Sequence, residues 1–283
     1  ELVRTYVTDN LAYFPDAQMV AVFPIRQNEA ELLKGYYWES AFVLGHEYAH
    51  HIDYTRHGAA VAATGLRWQP MIHGFEDTQA LSGSGKSGTA RARIAGAIAE
   101  AFADLIGFYA AGAREEVVIG LPFIGRDRSV VSPVFRGGNA KILSEERLQL
   151  LLGQSRRSDD PIDFTDIHAS GAVMAYALDQ IFLQLTGSKD ALERSDDDIK
   201  KHYLLALRFM DQLMVVTAGA ASDNPSLPLA AFAAAIEKTS DEFLQTMSVG
   251  GVDPASAKHS ICEIIRTQIP AIPSPPFAED KHC

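Results

Sequence analysis

The sequence predicts an α+β fold that is mostly α, with a small β-containing N-terminal lobe and a mainly helical C-terminal lobe. Residues 1–30 carry short apolar runs of strand length. Apolar residues recur with helical spacing at 36–57, 91–113, 168–186, 197–218 and 228–248. With 283 residues, 47% of them hydrophobic, the chain is long enough to bury a large core.

The segments between these patterns are expected to be irregular. Residues 58–90 form a predicted loop-rich insertion, and residues 114–165 contain several glycines but little periodicity. We place the boundary between the lobes after residue 113. This gives an N-terminal lobe of residues 1–113 and a C-terminal lobe of residues 114–283.

The C-terminal tail is rich in proline and lies between the two cysteines of the chain, Cys262 and Cys283. A disulfide bond between them would pin the tail, and two free thiols are the alternative. The chain begins at Glu1 without a methionine or a signal peptide. We therefore expect a processed protein that is secreted or periplasmic.

Composition argues against two classes of function. The formal net charge of −11 at pH 7 is unfavourable for a general nucleic-acid binder. No apolar run reaches the roughly 18 residues that a membrane span requires. A soluble protein is expected, and its oligomeric state is not predicted.

The most informative feature is His46-Glu47-Tyr48-Ala49-His50, which spells H-E-x-x-H within the first helical pattern. Side chains four residues apart share one face of a helix, so His46 and His50 can point at one ion. Neutral imidazole suits Zn²⁺, and two histidines, one carboxylate and an open position make up a typical catalytic zinc site. Glu47 lies beside them and is placed to act on a metal-bound water.

Two carboxylates are candidates for the third ligand. Asp53 follows His50 closely in the sequence. Glu100 and Asp104 lie one turn apart and are the only charged residues of the helical pattern at 95–107. A helix that buries two acids needs partners for them. Zinc would supply a partner for Glu100, and a ligand imidazole N–H would supply one for Asp104.

The segment A-G-A-I-A-E-A-F-A-D, which ends at Asp104, resembles the S-G-A-x-N-E-A-x-S-D helix of gluzincin metallopeptidases of the thermolysin and fungalysin type. The resemblance implies a zincin-like fold with its active-site cleft between the two lobes. It also implies that Glu100 is the third zinc ligand and that Asp104 orients a ligand histidine, His46. One catalytic Zn²⁺ is therefore expected. Calcium is not, because the family's acidic calcium cluster has no counterpart here.

A second block extends the resemblance. Residues 163–171, D-F-T-D-I-H-A-S-G, resemble the thermolysin pattern D-x-x-x-x-H-x-x-S-G, and the D-I-H within it resembles the D-V-H of fungalysins. In the family, this histidine steadies the oxyanion of the tetrahedral intermediate, and the aspartate five residues earlier keeps its ring charged. The resemblance implies these roles for His168 and Asp163.

Two weaker similarities concern substrate binding. The segment R-S-V-V-S-P resembles one whose arginine contacts the substrate carbonyl, which implies that role for Arg128, or for Arg126 if the register slips. Asn10 and Ala12 match an asparagine and an edge strand that hold the substrate backbone. Asp127 replaces an apolar residue of the pocket after the scissile bond. A Lys, Arg or polar substrate side chain is therefore expected there.

The resemblance implies a zinc-dependent endopeptidase that acts on a peptide or protein, with Glu47 as general base. One alternative is a catalytically silent relative that binds a peptide or protein in the same cleft. Another is a zinc enzyme with a narrow substrate. Glu47 argues against a silent site, which needs no general base, whereas Arg91 in place of a supporting tyrosine argues for one.

Overall fold

The computed structural model describes residues 11–14, 19–22, 40–63, 86–114, 125–135, 137–153, 160–188, 194–219, 226–246 and 252–272. Within these ranges the chain forms the helices α1 (Ala41–Ala63), α2 (Lys86–Ala110), α3 (Glu145–Leu151), α4 (Ile167–Thr186), α5 (Asp196–Gly219), α6 (Ser226–Thr246) and α7 (Pro254–Gln268). A 3-10 helix spans Gly125–Arg128. The described residues are therefore mainly helical.

The β structure near the N-terminus is an antiparallel hairpin of two short strands, β1 (Leu11–Phe14) and β2 (Met19–Val22). Ala12 lies opposite Ala21 in its register. The hairpin packs against α1. A pair of four-residue strands has too little surface to form a core of its own, so it depends on the helix beside it.

The predicted α+β fold with a β-containing N-terminal lobe is wrong, because the described residues form an all-α fold to which the hairpin is a small addition. The apolar runs at residues 1–30 fit the period of strands. Within the described residues, however, they form one hairpin on a helix and not a sheet with its own core. The candidate site consequently lies between helices, and the lobe boundary after residue 113 stays a prediction.

Two predicted helices are longer than their apolar patterns. α1 continues past residue 57 to Ala63, and α2 begins at Lys86 instead of residue 91. Alanine is the best helix former, and four of the last five residues of α1 are alanines, so the helix continues beyond its apolar stripe. The predicted loop at 58–90 is thus helical at both ends, and residues 64–85 lie outside the described part.

Two helices, α3 and α7, were not predicted, although each begins with a recognisable cap. The Ser144 side chain accepts a hydrogen bond from the Arg147 backbone N–H at the start of α3. Asp253 caps α7 in the same way and is followed by Pro254 in the first turn. Both arrangements are common at the start of a helix, so the capping residues indicate these two helices although the apolar periodicity does not.

α2 lies at the centre of the fold, in contact with α1, α4 and α5. Its side chains are almost all buried from Ile94 to Tyr109, and they join one hydrophobic cluster with residues of the surrounding helices. A helix that is apolar on every side needs neighbours on every side. This interior position places the two acids of α2, Glu100 and Asp104, next to side chains of other helices.

Two further sequence expectations concern membranes and cysteines. No helix in the described ranges is long and apolar enough to cross a membrane. Cys262 on α7 is buried and disulfide-bonded. Cys283, the other cysteine of the sequence, lies outside the described residues. Because α7 packs against α4, the disulfide is attached to a helix that supports the one carrying His168.

Candidate metal centre

Helices α1 and α2 bring two histidines and a glutamate together. The Nε2 atoms of His46 and His50 on α1 lie 3.2 Å apart. Glu100 on α2 faces both, with Oε2 3.4 Å from His46 Nε2 and Oε1 3.4 Å from His50 Nε2. One ligand atom from each residue lies within 4.8 Å of the others, so the group can hold a metal ion. Two imidazoles and a carboxylate form the donor set of many catalytic zinc sites.

Two glycines allow the short distance between α1 and α2. A Cβ on Gly45 would lie 3.0 Å from the Gly107 Cα. A Cβ on Gly107 would lie 2.6 Å from the Phe42 carbonyl oxygen and 3.0 Å from the His46 backbone nitrogen. A larger residue at position 107 would therefore push the helices apart. The crossing at Gly45 and Gly107 is what lets the two histidines reach Glu100.

A second acid of α2 supports His46 from behind. Asp104 Oδ1 lies 3.1 Å from His46 Nδ1, the relation expected of a carboxylate that orients a ligand imidazole. Arg128 holds this carboxylate with two donors, Nε at 2.7 Å from Oδ2 and Nη2 at 2.7 Å from Oδ1. Arg128 Nη2 also lies 3.1 Å from Glu100 Oε2. Arg128 thus contacts two carboxylates of the site, and its implied contact with a substrate carbonyl stays a prediction.

His168, in the first turn of α4, adds a third imidazole. Its Nε2 lies 3.1 Å from Glu100 Oε2, and its Nδ1 lies 2.5 Å from Asp166 Oδ1. Asp166 also caps α4 by accepting the His168 backbone N–H. Asp163, the residue to which the resemblance assigns this role, accepts hydrogen bonds from the backbone N–H and hydroxyl of Thr165. The carboxylate that holds His168 is therefore two residues before it, and not five.

The predicted general base, Glu47, follows His46 on α1. It is buried, with 8% of its surface exposed. Its two neighbours in the motif, His46 and His50, both face Glu100. Glu47 is therefore carried by the same rigid helix as the ligand histidines, which is the arrangement that the H-E-x-x-H motif predicts.

Burial and neighbouring charges set the protonation of the cluster. Burial lowers the pKa of His50 to about 4, despite the charge of Glu100, and so favours the neutral imidazole that metals bind. Burial also disfavours a charge on His46, but hydrogen bonds to Asp104 and Glu100 raise its pKa to about 9. Burial alone would raise the pKa of Glu100, yet the charge of His168 and hydrogen bonds from His168 and His46 hold it well below its usual range. Glu100 is thus an ionised carboxylate, as a metal ligand must be.

Asp53, the other candidate for the third ligand, is not part of the group that can hold a metal ion. Its Oδ1 lies 2.8 Å from Nδ1 of His57, one turn further along α1. Both side chains are buried. The structure therefore places Glu100, and not Asp53, opposite the two histidines.

Of the residues implied in substrate binding, those that the structure describes belong to the β hairpin and to the 3-10 helix. Ala12 is in β1, on the hairpin that packs against α1. Arg126 and Asp127 lie in the 3-10 helix that ends at Arg128, and Asp127 is half-buried. Asn10 lies outside the described residues. The substrate contacts of these residues stay predictions.

Two residues that support the site, Asp166 and Lys141, were not predicted from the sequence. Asp166 carried a signal, because an aspartate directly before an apolar helix is a common N-cap. Lys141 carried none. It is fully buried, its Nζ donates to the carbonyl oxygen of Ser129, and it lies 5.5 Å from the centre of the Phe135 ring. Because Ser129 directly follows Arg128, this lysine fixes the backbone beside the arginine that holds Asp104.

Comparison of the chain with protein-family models, curated proteins and solved structures finds no significant match. The arguments for its function therefore come from the geometry of the site and from the resemblance of its motifs.

Proposed function

We propose that the chain is a zinc-dependent endopeptidase in which His46, His50 and Glu100 hold one zinc ion. The observation that carries the proposal is that histidines of two other helices, α1 and α4, converge on Glu100 of α2. The Glu100 carboxylate oxygens lie 3.4 Å from Nε2 of each ligand histidine and 3.1 Å from Nε2 of His168. In this proposal His46, His50 and Glu100 are the three ligands, and His168 is not a ligand. A structural zinc site is normally closed by four protein ligands, whereas a catalytic site keeps one position open.

Each reacting group has one role in this proposal. Bound zinc would lower the pKa of a water molecule and polarise the scissile carbonyl. Glu47 accepts the proton of that water and returns it to the leaving amine. His168 donates a hydrogen bond through Nε2 to the carbonyl oxygen as negative charge develops there, a contact commonly worth about 3 kcal/mol.

Three charged residues hold these groups in place. Asp104 orients His46, and Arg128 neutralises Asp104 so that a buried carboxylate is not left without a partner. Asp166 fixes the ring of His168 through Nδ1, and Nε2, which contacts Glu100 Oε2 in this structure, is the nitrogen that would donate to substrate. In this proposal the Arg128–Asp104 pair supports His46, and Asp166 supports His168.

The substrate in this proposal is a peptide or a protein. Asp127 would favour a Lys, Arg or polar side chain after the scissile bond, because its carboxylate is costly to bury beside an apolar one. A secreted or periplasmic location belongs to the same proposal. It is supported by the disulfide bond of Cys262, because such bonds form and persist in oxidising compartments.

Digestion of a diverse peptide mixture tests the proposed activity. The zinc-loaded chain should generate new peptide termini, which mass spectrometry identifies, and a chelator should stop their formation. Glu47→Gln removes the proton acceptor but no ligand, so it should bind zinc and cleave nothing. Glu263→Gln, a change of a half-buried glutamate on α7, is the matched control and should cleave like the wild type. A wild-type chain that binds zinc and peptides without cleaving any would instead be the catalytically silent relative.

A further inference from the structure

Arg93 joins α2 to the turn of residues 160–166, which precedes α4. It lies on α2 seven residues before Glu100, and residues seven apart share one face of a helix. Its Nη1 donates to the carbonyl oxygen of Thr165 at 3.2 Å and to that of Leu151, the last residue of α3, also at 3.2 Å. The mechanism proposed above does not use Arg93.

Thr165, the residue that Arg93 contacts in this turn, is held through three of its polar groups. Its backbone N–H donates to Asp163 Oδ1 at 2.9 Å, and its hydroxyl donates to the same oxygen at 2.5 Å. Its carbonyl oxygen accepts from Arg93. The next residue, Asp166, donates its backbone N–H to the Asp163 carbonyl oxygen, 3.3 Å away. The bonds to Asp163 stay within the turn, whereas the bond from Arg93 ties the turn to α2.

The same turn is attached to α3 by a second arginine. Arg147 of α3 donates through Nε to Asp160 Oδ2 at 2.6 Å, and its guanidinium lies 4.5 Å from the centre of the Phe164 ring. Phe164 is fully buried. The last carbonyl groups of a helix have no partner within it, and Arg93 supplies one for Leu151 at the end of α3. Arg93 therefore fixes both the turn and the helix that carries the turn to α2.

We infer that Arg93 is a positioning residue of His168. Asp166 accepts the backbone N–H of His168 and contacts its Nδ1, so a shift of Asp166 moves the imidazole. Asp166 follows Thr165 directly, and Arg93 holds the Thr165 carbonyl. Arg93 and Glu100 are carried by one helix. Arg93 thus keeps His168 Nε2 at its distance of 3.1 Å from Glu100 Oε2.

The inference rests on the proposed function, and its first test separates kcat from KM. Arg93→Met keeps the apolar stem and removes the donors. It should lower kcat for peptide hydrolysis about 10–100-fold, because a misplacement of about 1 Å at a reacting group can cost that much. KM and zinc affinity should stay near those of the wild type, since no ligand is changed. Arg93→Lys keeps a charged donor without the planar fork, so it should recover part of the loss.

Thr239→Val on α6 is the matched control for these kinetics. It also removes a side-chain hydrogen bond to a backbone carbonyl, that of Ala235 at 2.7 Å, and it should leave kcat unchanged.

A second measurement needs no activity. In the NMR spectrum of a chain labelled with ¹⁵N-histidine, the ring signals of His168 are assigned by their absence in His168→Ala. Arg93→Met should shift these signals and leave those of His202 on α5 in place. If Arg93→Met does not fold, Arg93→Lys should show a smaller shift together with a smaller loss of kcat.

Unchanged kcat and unchanged His168 signals in the folded Arg93 variants would make Arg93 a structural cross-link and overturn the inference. A wild-type chain that cleaves no peptide would overturn the proposed function instead. The His168 signals alone would then decide whether Arg93 positions the ring.

Discussion

Gly171 of α4 lies directly against Glu100 of α2: a Cβ on residue 171 would come within 2.8 Å of the Glu100 Cβ and 3.0 Å of the Ala97 carbonyl oxygen. His168 lies one turn earlier on the same face of α4, with its Nε2 3.1 Å from Glu100 Oε2. The absence of a side chain at residue 171 therefore brings the His168 imidazole to the candidate third ligand.

Gly171→Ala should separate α4 from α2, because the added methyl group meets helix backbone that cannot rotate away. Overpacking of this kind typically costs about 1–3 kcal/mol. We expect a lower free energy of unfolding in urea and a weaker affinity for zinc. Gly58→Ala on α1 is the control, because its Cβ would meet the movable side chain of Tyr54. An alanine at residue 171 that changed neither quantity would show that the contact is not needed.

Asp166→Asn should lower kcat for peptide hydrolysis more than Asp163→Asn does. Asp166 contacts Nδ1 of His168, whereas Asp163 stabilises the turn at Thr165. Loss of a residue that supports a reacting group commonly lowers activity about 10–100-fold.

His168→Ala should lower kcat by about two orders of magnitude with little change in KM. Steady-state kinetics at fixed zinc would decide. A larger loss from Asp163→Asn would restore the role that the resemblance gave it.

Arg128→Met should be strongly destabilising, because it leaves the fully buried Asp104 carboxylate without its two-donor partner. Breaking a buried ion pair from one side typically costs about 3–5 kcal/mol. Arg266→Met removes an exposed ion pair with Glu263 and should have little effect on the same urea denaturation curve. Equal effects of the two substitutions would contradict the role given to Arg128.

The parts of the site that lie within one helix were predictable, and those set by loops were not. Helical spacing alone places His46 with His50, and Glu100 with Asp104, because the period of a helix fixes which side chains share a face. That Glu100 lies opposite the histidines came from the resemblance and not from spacing.

The support of His168 depends on how the chain turns before α4. There the Asp163 side chain bonds two residues ahead, to the Thr165 backbone N–H, as aspartates commonly do in turns. No periodic signal reveals which aspartate faces the ring.

The fold class predicted from the sequence is wrong, and the reason lies in the N-terminal residues. The strand pattern of residues 1–30 predicts a β-containing lobe. Within the described residues these runs form a two-stranded hairpin that packs against α1. Short apolar runs do not reveal how many strands will pair. The central position of α2 was foreseeable in retrospect, because a helix with apolar residues on all sides must be interior.

A buried histidine away from the site should make the fold sensitive to acid. His202 on α5 lies 2.8 Å from Thr186 Oγ1 through Nε2 and 3.2 Å from Arg194 Nη1 through Nδ1. Burial and then the charge of Arg194 lower its pKa from 6.5 to about 4. The unfolded chain therefore takes up this proton first, and stability present above pH 6.5 is lost as pH falls towards 4.

The slope of the unfolding free energy against pH checks this prediction. Between pH 6.5 and 4, the wild type should lose more stability than His202→Gln, by an amount on the order of 3 kcal/mol. The carboxylates that also titrate in this range are common to both proteins, so the difference isolates the histidine. Parallel curves would mean that His202 is not held neutral in the folded chain.

The zinc content of the purified chain, compared with that of Glu100→Gln, tests the central claim most directly. Both proteins are saturated with zinc, freed of excess metal by gel filtration and measured by atomic emission. The account predicts about one zinc per wild-type chain, removable by a chelator, and almost none in Glu100→Gln, because two histidines alone hold the ion weakly. Glu263→Gln should keep the wild-type content. No zinc in the wild type, or full zinc in Glu100→Gln, would contradict the account.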